Sequence, residues 1–205
     1  MTLLSTEEKT KVSEAIAAAE KLTDAELVTV LVKQSDDYHY IPTLWAAIAA
    51  LGSPGLIALT PYWLDLWETI LGQIIVFILL ALLLRIPAIM FRLIPKSVRQ
   101  WRASNMARRQ FLENNLHHTA NKLGVLIFVS EAEHYVEIIV DRGISQRVDN
   151  SEWQSIVHSF TQQVKSGQTL NGFLSCIASC GEILQKVAPA TREKNELPNH
   201  LVVIG

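Results

Sequence analysis

Long stretches of this sequence lack charge of one or both signs. Residues 41–60 carry no charged side chain, residues 34–84 no Lys or Arg, and residues 85–109 no Asp or Glu. The first absence excludes an ordinary amphipathic helix, because a helix of a soluble domain needs a polar face. At about 1.5 Å per residue, residues 41–60 would reach roughly 30 Å, the thickness of the bilayer hydrocarbon. A second apolar run, residues 69–90, is as long, with Gln73 and Arg85 as its main polar interruptions. Two such runs joined by a short link predict a two-helix transmembrane hairpin over residues 40–94. The alternative, a buried helical hairpin of a soluble protein, conflicts with the missing polar faces.

Cysteine is scarce too. Cys176 and Cys180 stand alone, four residues apart in a helical pattern. That excludes a disulfide-built scaffold, and both are expected to be reduced core residues. The usual catalytic signatures are missing: there is no G-x-S-x-G, no P-loop, no G-x-G-x-x-G after a strand and no H-E-x-x-H. His117 and His118 are adjacent, point about 100° apart on a helix and make poor joint ligands. No secretory signal opens the chain, so the hairpin is expected to do the targeting.

The net charge of −2 hides a strong asymmetry. From Arg85, near the end of the second apolar run, to Arg109 there are seven basic residues (Arg85, Arg92, Lys96, Arg99, Arg102, Arg108 and Arg109) and no acidic one. By the positive-inside rule this flank is cytoplasmic, and two crossings return the chain to its starting side. The expected topology is a two-span protein of the inner membrane with both termini cytoplasmic. Tyr38, Tyr40 and Trp45 suit an aromatic belt on entry, and Tyr62, Trp63 and Trp67 a second one around the outer link. Arg85 can snorkel to the inner interface, with Arg92 and Lys96 beyond it. Trp101 among the arginines brings the following helix close to anionic headgroups. The cluster adjoins a membrane span and has no groove motif beside it, so a nucleic-acid partner is not expected.

Outside the hairpin the pattern is mixed α/β. Ser5 and Glu8 form a capping box for a first helix. LVTVLV, residues 27–32, reads as a buried strand. A long helix is expected over 97–121. VLIFVS and YVEIIVD around the link Glu131-Ala132-Glu133-His134 predict an antiparallel strand pair, the first run central in its sheet. Gly143 is free to take a positive φ as the chain leaves the second strand. Two more helices follow, the first capped by Asn150 or Ser151 and ended by Gly167, and LVVI in the tail offers a short edge strand. Residues 27–32 need partners from beyond the hairpin. Residues 1–39 and 95–205 are therefore expected to form one discontinuous cytoplasmic domain.

Carboxylates gather at the predicted strand ends: Asp24 and Glu26 before the first strand, Asp141 after the third, and Glu196 in the tail. Hard cations such as Ca2+ or Mg2+ need several oxygens converging from different loops, and such positions can supply them. The alternative is that Asp141 caps a turn and Glu26 is simply exposed.

Several segments carry a resemblance. These are TDAEL from Thr23, SDDYHYIP from Ser35, ARRQFLENNLHHTANKLGVLIFVSEAEHYVEIIVDRGI from Ala107, WQSIV from Trp153, GFLSCI from Gly172 and NELP from Asn195. Together they resemble the TPM domain family, in particular its bacterial integral-membrane branch. The resemblance implies an α/β/α sandwich, here interrupted by the transmembrane hairpin. Plant and cyanobacterial relatives are thylakoid proteins tied to photosystem II repair, with a proposed acid phosphatase activity and Ca2+ binding. An animal relative modulates an acetylcholine receptor. Acidic positions carry over as Glu26, Asp141 and Glu196. The chain departs at Ala25, where the family often has Gly, and at Asn199, where it often has Asp.

Two functions follow as expectations. One is a membrane-anchored accessory protein whose cytoplasmic domain binds a protein partner at the bilayer. The other is a metal-dependent phosphatase in which Glu26, Asp141 and Glu196 hold Ca2+ or Mg2+ and Arg142 binds phosphate.

Overall fold

The computed structural model describes residues 4–61, 63–191 and 201–204. Tyr62, Glu196 and Asn199 lie outside them. By internal packing the chain divides into two units, Asp36–Arg99 and the remainder (Met1–Ser35 with Gln100–Gly205).

The larger unit is built on a four-stranded sheet. Helix α1 (Thr6–Glu20) starts with the Ser5–Glu8 capping box. Strand β1 (Glu26–Val32) follows and is buried along its whole length. Smaller-unit helices α2 (Tyr40–Ile57), α3 (Leu66–Leu83) and α4 (Pro87–Leu93) come next. Helix α5 (Lys96–Glu113) leads through two 3-10 turns, Leu116–His118 and Ala120–Lys122, to β2 (Gly124–Ser130) and β3 (Tyr135–Val140). The short helix α6 (Arg142–Ser145) precedes α7 (Asn150–Lys165), α8 (Thr169–Val187) and β4 (Leu201–Ile204).

The order in the sheet is β3-β2-β1-β4. β1 runs parallel to β2 and β4, and β2 pairs antiparallel with β3. The two inner strands are apolar on both faces because both faces are covered. On one side Leu27, Leu31, Val125, Ile127 and Val129 pack with α1, α7 and α8 through Ile16, Phe160, Phe173 and Ile177. On the other, Val28, Val30, Leu126 and Phe128 meet Ala103 and Ala107 of α5. The result is an α/β/α sandwich. Strand β1, though separated from β2 in sequence by the whole smaller unit, is its direct neighbour, Glu26 standing opposite Gly124. Cys176 and Cys180 are free thiols in the first of these cores.

Three local expectations here differ from the structure, and a fourth agrees. The helix after the hairpin stops at Glu113 rather than near Asn121, because Asn115 takes the left-handed conformation at φ 56°. Asn tolerates that region where most residues do not. Gly143 keeps a negative φ inside α6, and the need for glycine is steric: a Cβ there would lie 2.3 Å from the Asn121 carbonyl oxygen. Asp149, not Asn150 or Ser151, caps α7 through a 2.8 Å bond from the Ser151 N–H. Gly167 ends α7 at φ 79°, as the sequence suggested.

In the smaller unit, α2 and α3 are each 18 residues long and apolar enough to cross a membrane. Asp65 and Glu68 form a capping box that starts α3. The second apolar run divides at residues 84–86, because Pro87 disfavours helical backbone at Ile86, which sits at ψ 124°. Tyr38 is fully buried here, packed edge-on against Phe91 at 6.0 Å beside Met90 and Ile94, instead of lying in an exposed belt.

Candidate functional site

The predicted acidic positions within the described residues sit at one end of the sheet, where β1 and β2 begin and β3 ends. Glu26 is only 4% exposed, and its N–H donates to the Leu123 carbonyl at 3.2 Å. Asp141 flanks Gly124 on the other side, its N–H donating to the Gly124 carbonyl at 2.9 Å. Glu26 and Asp141 are thus two strand spacings apart, about 10 Å between Cα atoms. One Asp141 oxygen caps α6 by accepting from the Arg142 N–H at 2.6 Å, and its Oδ2 is buried with no partner among the described residues. Arg142 is exposed.

Two further carboxylates complete this end. Asp24 accepts from the Thr191 N–H at 2.9 Å and so ties the segment after α8 to the head of β1. Thr23 donates its hydroxyl proton to the Ala188 carbonyl at 2.6 Å, strengthening the same seam. Glu20, which no sequence pattern singles out, accepts from the Leu27 N–H at 2.9 Å. Burial pushes its carboxyl up to about 7; the Leu27 bond opposes that rise and the nearby Glu26 charge adds to it. A buried carboxyl beside another is costly to ionise. The only signal in the sequence was the six-residue separation of Glu20 from Glu26.

This end supplies less than a hard cation requires. Ca2+ takes six to eight oxygens, and among the described residues no three His, Cys, Asp or Glu side chains gather tightly enough for a metal. Among the described residues the orphaned Asp141 oxygen suits such an ion, and Glu20 Oε2 is likewise buried without a hydrogen-bond partner.

At the opposite end, Glu133 is buried and accepts from both Ser35 and Ser130. The Ser35 hydroxyl in turn bonds the Ser130 hydroxyl at 2.9 Å. Nothing in a four-residue strand link marked this acid as buried.

Strand β3 forms one edge of the sheet. Since the Asp141 N–H bonds to β2, alternation turns the backbone groups of Val136, Ile138 and Val140 outward. Along this edge runs a groove of about 470 Å³ against α7, lined by Val136, Ile138, Trp153, Val157 and His158.

Of the expected interfacial residues, Tyr40, Trp67, Arg85, Arg92 and Lys96 are exposed. Tyr40 begins α2, Trp67 lies in the first turn of α3, Arg85 falls between α3 and α4, Arg92 lies in the last turn of α4 and Lys96 begins α5.

Comparison with known proteins agrees with this architecture. No curated protein matches the chain. Among solved structures, the NMR structure of the BA42 protein from the psychrophilic bacterium Bizionia argentinensis superposes with a TM-score of 0.60 at 20% identity, covering 98% of this chain and 94% of that one. At that identity the likeness concerns the fold. The family model described as TPM domain matches residues 90–183, which include α5, the β2–β3 pair, α7 and most of α8. Over residues 90–183 the chain matches the TPM domain model, and its fold is like that of the BA42 structure.

Proposed function

We propose that the chain is a membrane-anchored accessory protein whose hairpin holds the TPM domain at the cytoplasmic face of the inner membrane, where it binds a protein partner. One observation carries the anchor: none of the 18 residues of α3 is buried, although nearly all are apolar. In water that surface would be a large exposed apolar patch, and such patches mark sites of membrane or protein contact. The run of seven basic residues after it supports the cytoplasmic placement. For the partner, the open β3 edge and its groove along α7 offer backbone hydrogen bonds and an apolar floor, the elements of strand addition.

Topology tests the anchor. Cysteines placed at Lys9 and Asp65 separate the two sides, since the native thiols are buried. In intact cells stripped of outer envelope, Asp65→Cys should react with an impermeant maleimide and Lys9→Cys only after lysis. Release of the chain by alkaline carbonate, or labelling at both positions before lysis, rejects the proposal.

A second reading, a divalent-metal-dependent phosphatase, draws on the orphaned Asp141 oxygen near Glu26. It requires further ligands from residues outside the described set, such as Glu196.

A further inference from the structure

Helix α5 has two unlike sides. Ala103, Ala107 and Gln110, at helical spacing, are buried against the sheet side. Trp101, Asn105, Arg108 and Leu112 recur at intervals of four, three and four on the opposite side. Trp101 is 58% and Leu112 55% exposed on this side. They stand about 16 Å apart along the axis, with Arg108 between them. The Arg102 guanidinium lies 5.0 Å from the centre of the Trp101 ring, and Arg109 is paired with Glu113 at 2.7 Å. No acidic residue occurs from 85 to 109.

We propose that this outward side of α5 lies flat on an anionic phospholipid surface, with Trp101 and Leu112 entering the headgroup boundary and Arg108 and Arg102 meeting lipid phosphates. The inference rests on the membrane anchor proposed above. Charge complementarity selects the occupant, since uninterrupted positive charge following an apolar hairpin along the chain attracts anionic lipid. The apolar pair selects it further. A nucleic-acid duplex would use the cations and leave Trp101 and Leu112 idle, whereas an interfacial helix uses both.

The test uses the full chain in nanodiscs of phosphatidylcholine alone or with phosphatidylglycerol. An environment-sensitive fluorophore is attached at Leu112→Cys, or at Ser155→Cys on the exposed side of α7 as a control. With phosphatidylglycerol present, the label at 112 should shift to the blue and lose most of its intensity to nitroxide-bearing lipid; the label at 155 should not change. Adding Arg108→Glu or high salt should reverse the effect at 112. A signal at 112 indifferent to phosphatidylglycerol overturns the proposal while leaving the anchor intact. The same shift produced by a short DNA duplex added to phosphatidylcholine discs overturns it in favour of a general polyanion face. A chain that fails to enter the discs overturns the anchor and this inference together.

Discussion

The Glu133 carboxylate accepts the Ser35 backbone N–H through both of its oxygens, at 3.1 and 3.2 Å. Ser35 is the last residue of the sheet unit before the chain enters the smaller one. The neighbouring backbone is strapped down as well: Glu131 N–H donates to Val32 and Ala132 N–H to Lys33, each at 3.0 Å. Glu133 therefore fixes the point where β1 gives way to the insertion. Truncation would leave the Ser35 N–H and the proton of the buried Ser130 hydroxyl without their acceptor, while the Ser130 oxygen keeps its bond from the Ser35 hydroxyl. Glu133→Ala should cost about 1–3 kcal/mol. Glu133→Gln, which keeps one acceptor, should lose less. Urea unfolding of the full chain in mild detergent measures both, and equal stability of Glu133→Ala and wild type would refute the role.

Glu20 gives the fold a pH dependence of definite sign. Its carboxyl is raised in the folded chain, chiefly by burial, from about 4.5 to about 7. The fold thus favours the protonated form. That contribution is complete below about pH 4.5 and declines as pH rises to about 7, with no further change from this group above it. Glu20→Gln keeps an oxygen for the Leu27 N–H and removes the charge. The variant should match wild type near pH 4 and exceed it near pH 8, with about 2–4 °C of Tm for each kcal/mol recovered. Thermal melts across that range decide; a Tm difference independent of pH would place the charge in water.

Elements whose burial is two-sided were legible in the sequence, because LVTVLV and VLIFVS leave no face for solvent. Their apolar runs required one another as partners despite the intervening hairpin, and the register of Glu26 opposite Gly124 realises that pairing. Along β3, Val136, Ile138 and Val140 face one core and Tyr135 and Ile139 the other, as period-two alternation in YVEIIV requires. Single polar residues were less readable. Glu133 and Tyr38 meet partners distant in sequence and Glu20 meets the head of the next strand, and no local period encodes such neighbours. The left-handed turn at Asn115 depended on one backbone angle, which pattern alone does not reveal. For the candidate site, the sequence brought Glu26 and Asp141 to one sheet end and missed Glu20 beside them.

Gly124 is irreplaceable for a reason visible only in three dimensions. A Cβ on it would lie 2.3 Å from the Leu116 carbonyl oxygen, a backbone atom of the 3-10 turn that crosses the start of β2. Backbone cannot swing aside as a flexible side chain can. Gly124→Ala should destabilise the chain by at least about 1–3 kcal/mol. Gly52→Ala in α2, where nothing lies within 4 Å, serves as the control and should cost nothing. A melt showing equal, small effects at both sites would mean that the turn yields.

The two functional readings part at the acidic end of the sheet. A shared ion would have to draw Glu26 and Asp141 together across the Gly124 strand, and one Asp141 oxygen is already committed to the Arg142 N–H. Two carboxylates fall well short of the six to eight oxygens that Ca2+ gathers, and Mg2+ demands stricter octahedral geometry. For the accessory reading, titration calorimetry of the full chain with either cation at millimolar concentration should give no saturable heat. Asp141→Asn should then look like wild type in that assay, since Asn keeps the oxygen that caps α6. Saturable heat in wild type that disappears in both Glu26→Gln and Asp141→Asn would reverse the ranking. In that event Glu196→Gln becomes the informative variant, because it asks whether the tail closes the coordination sphere that the two strand-end acids leave open.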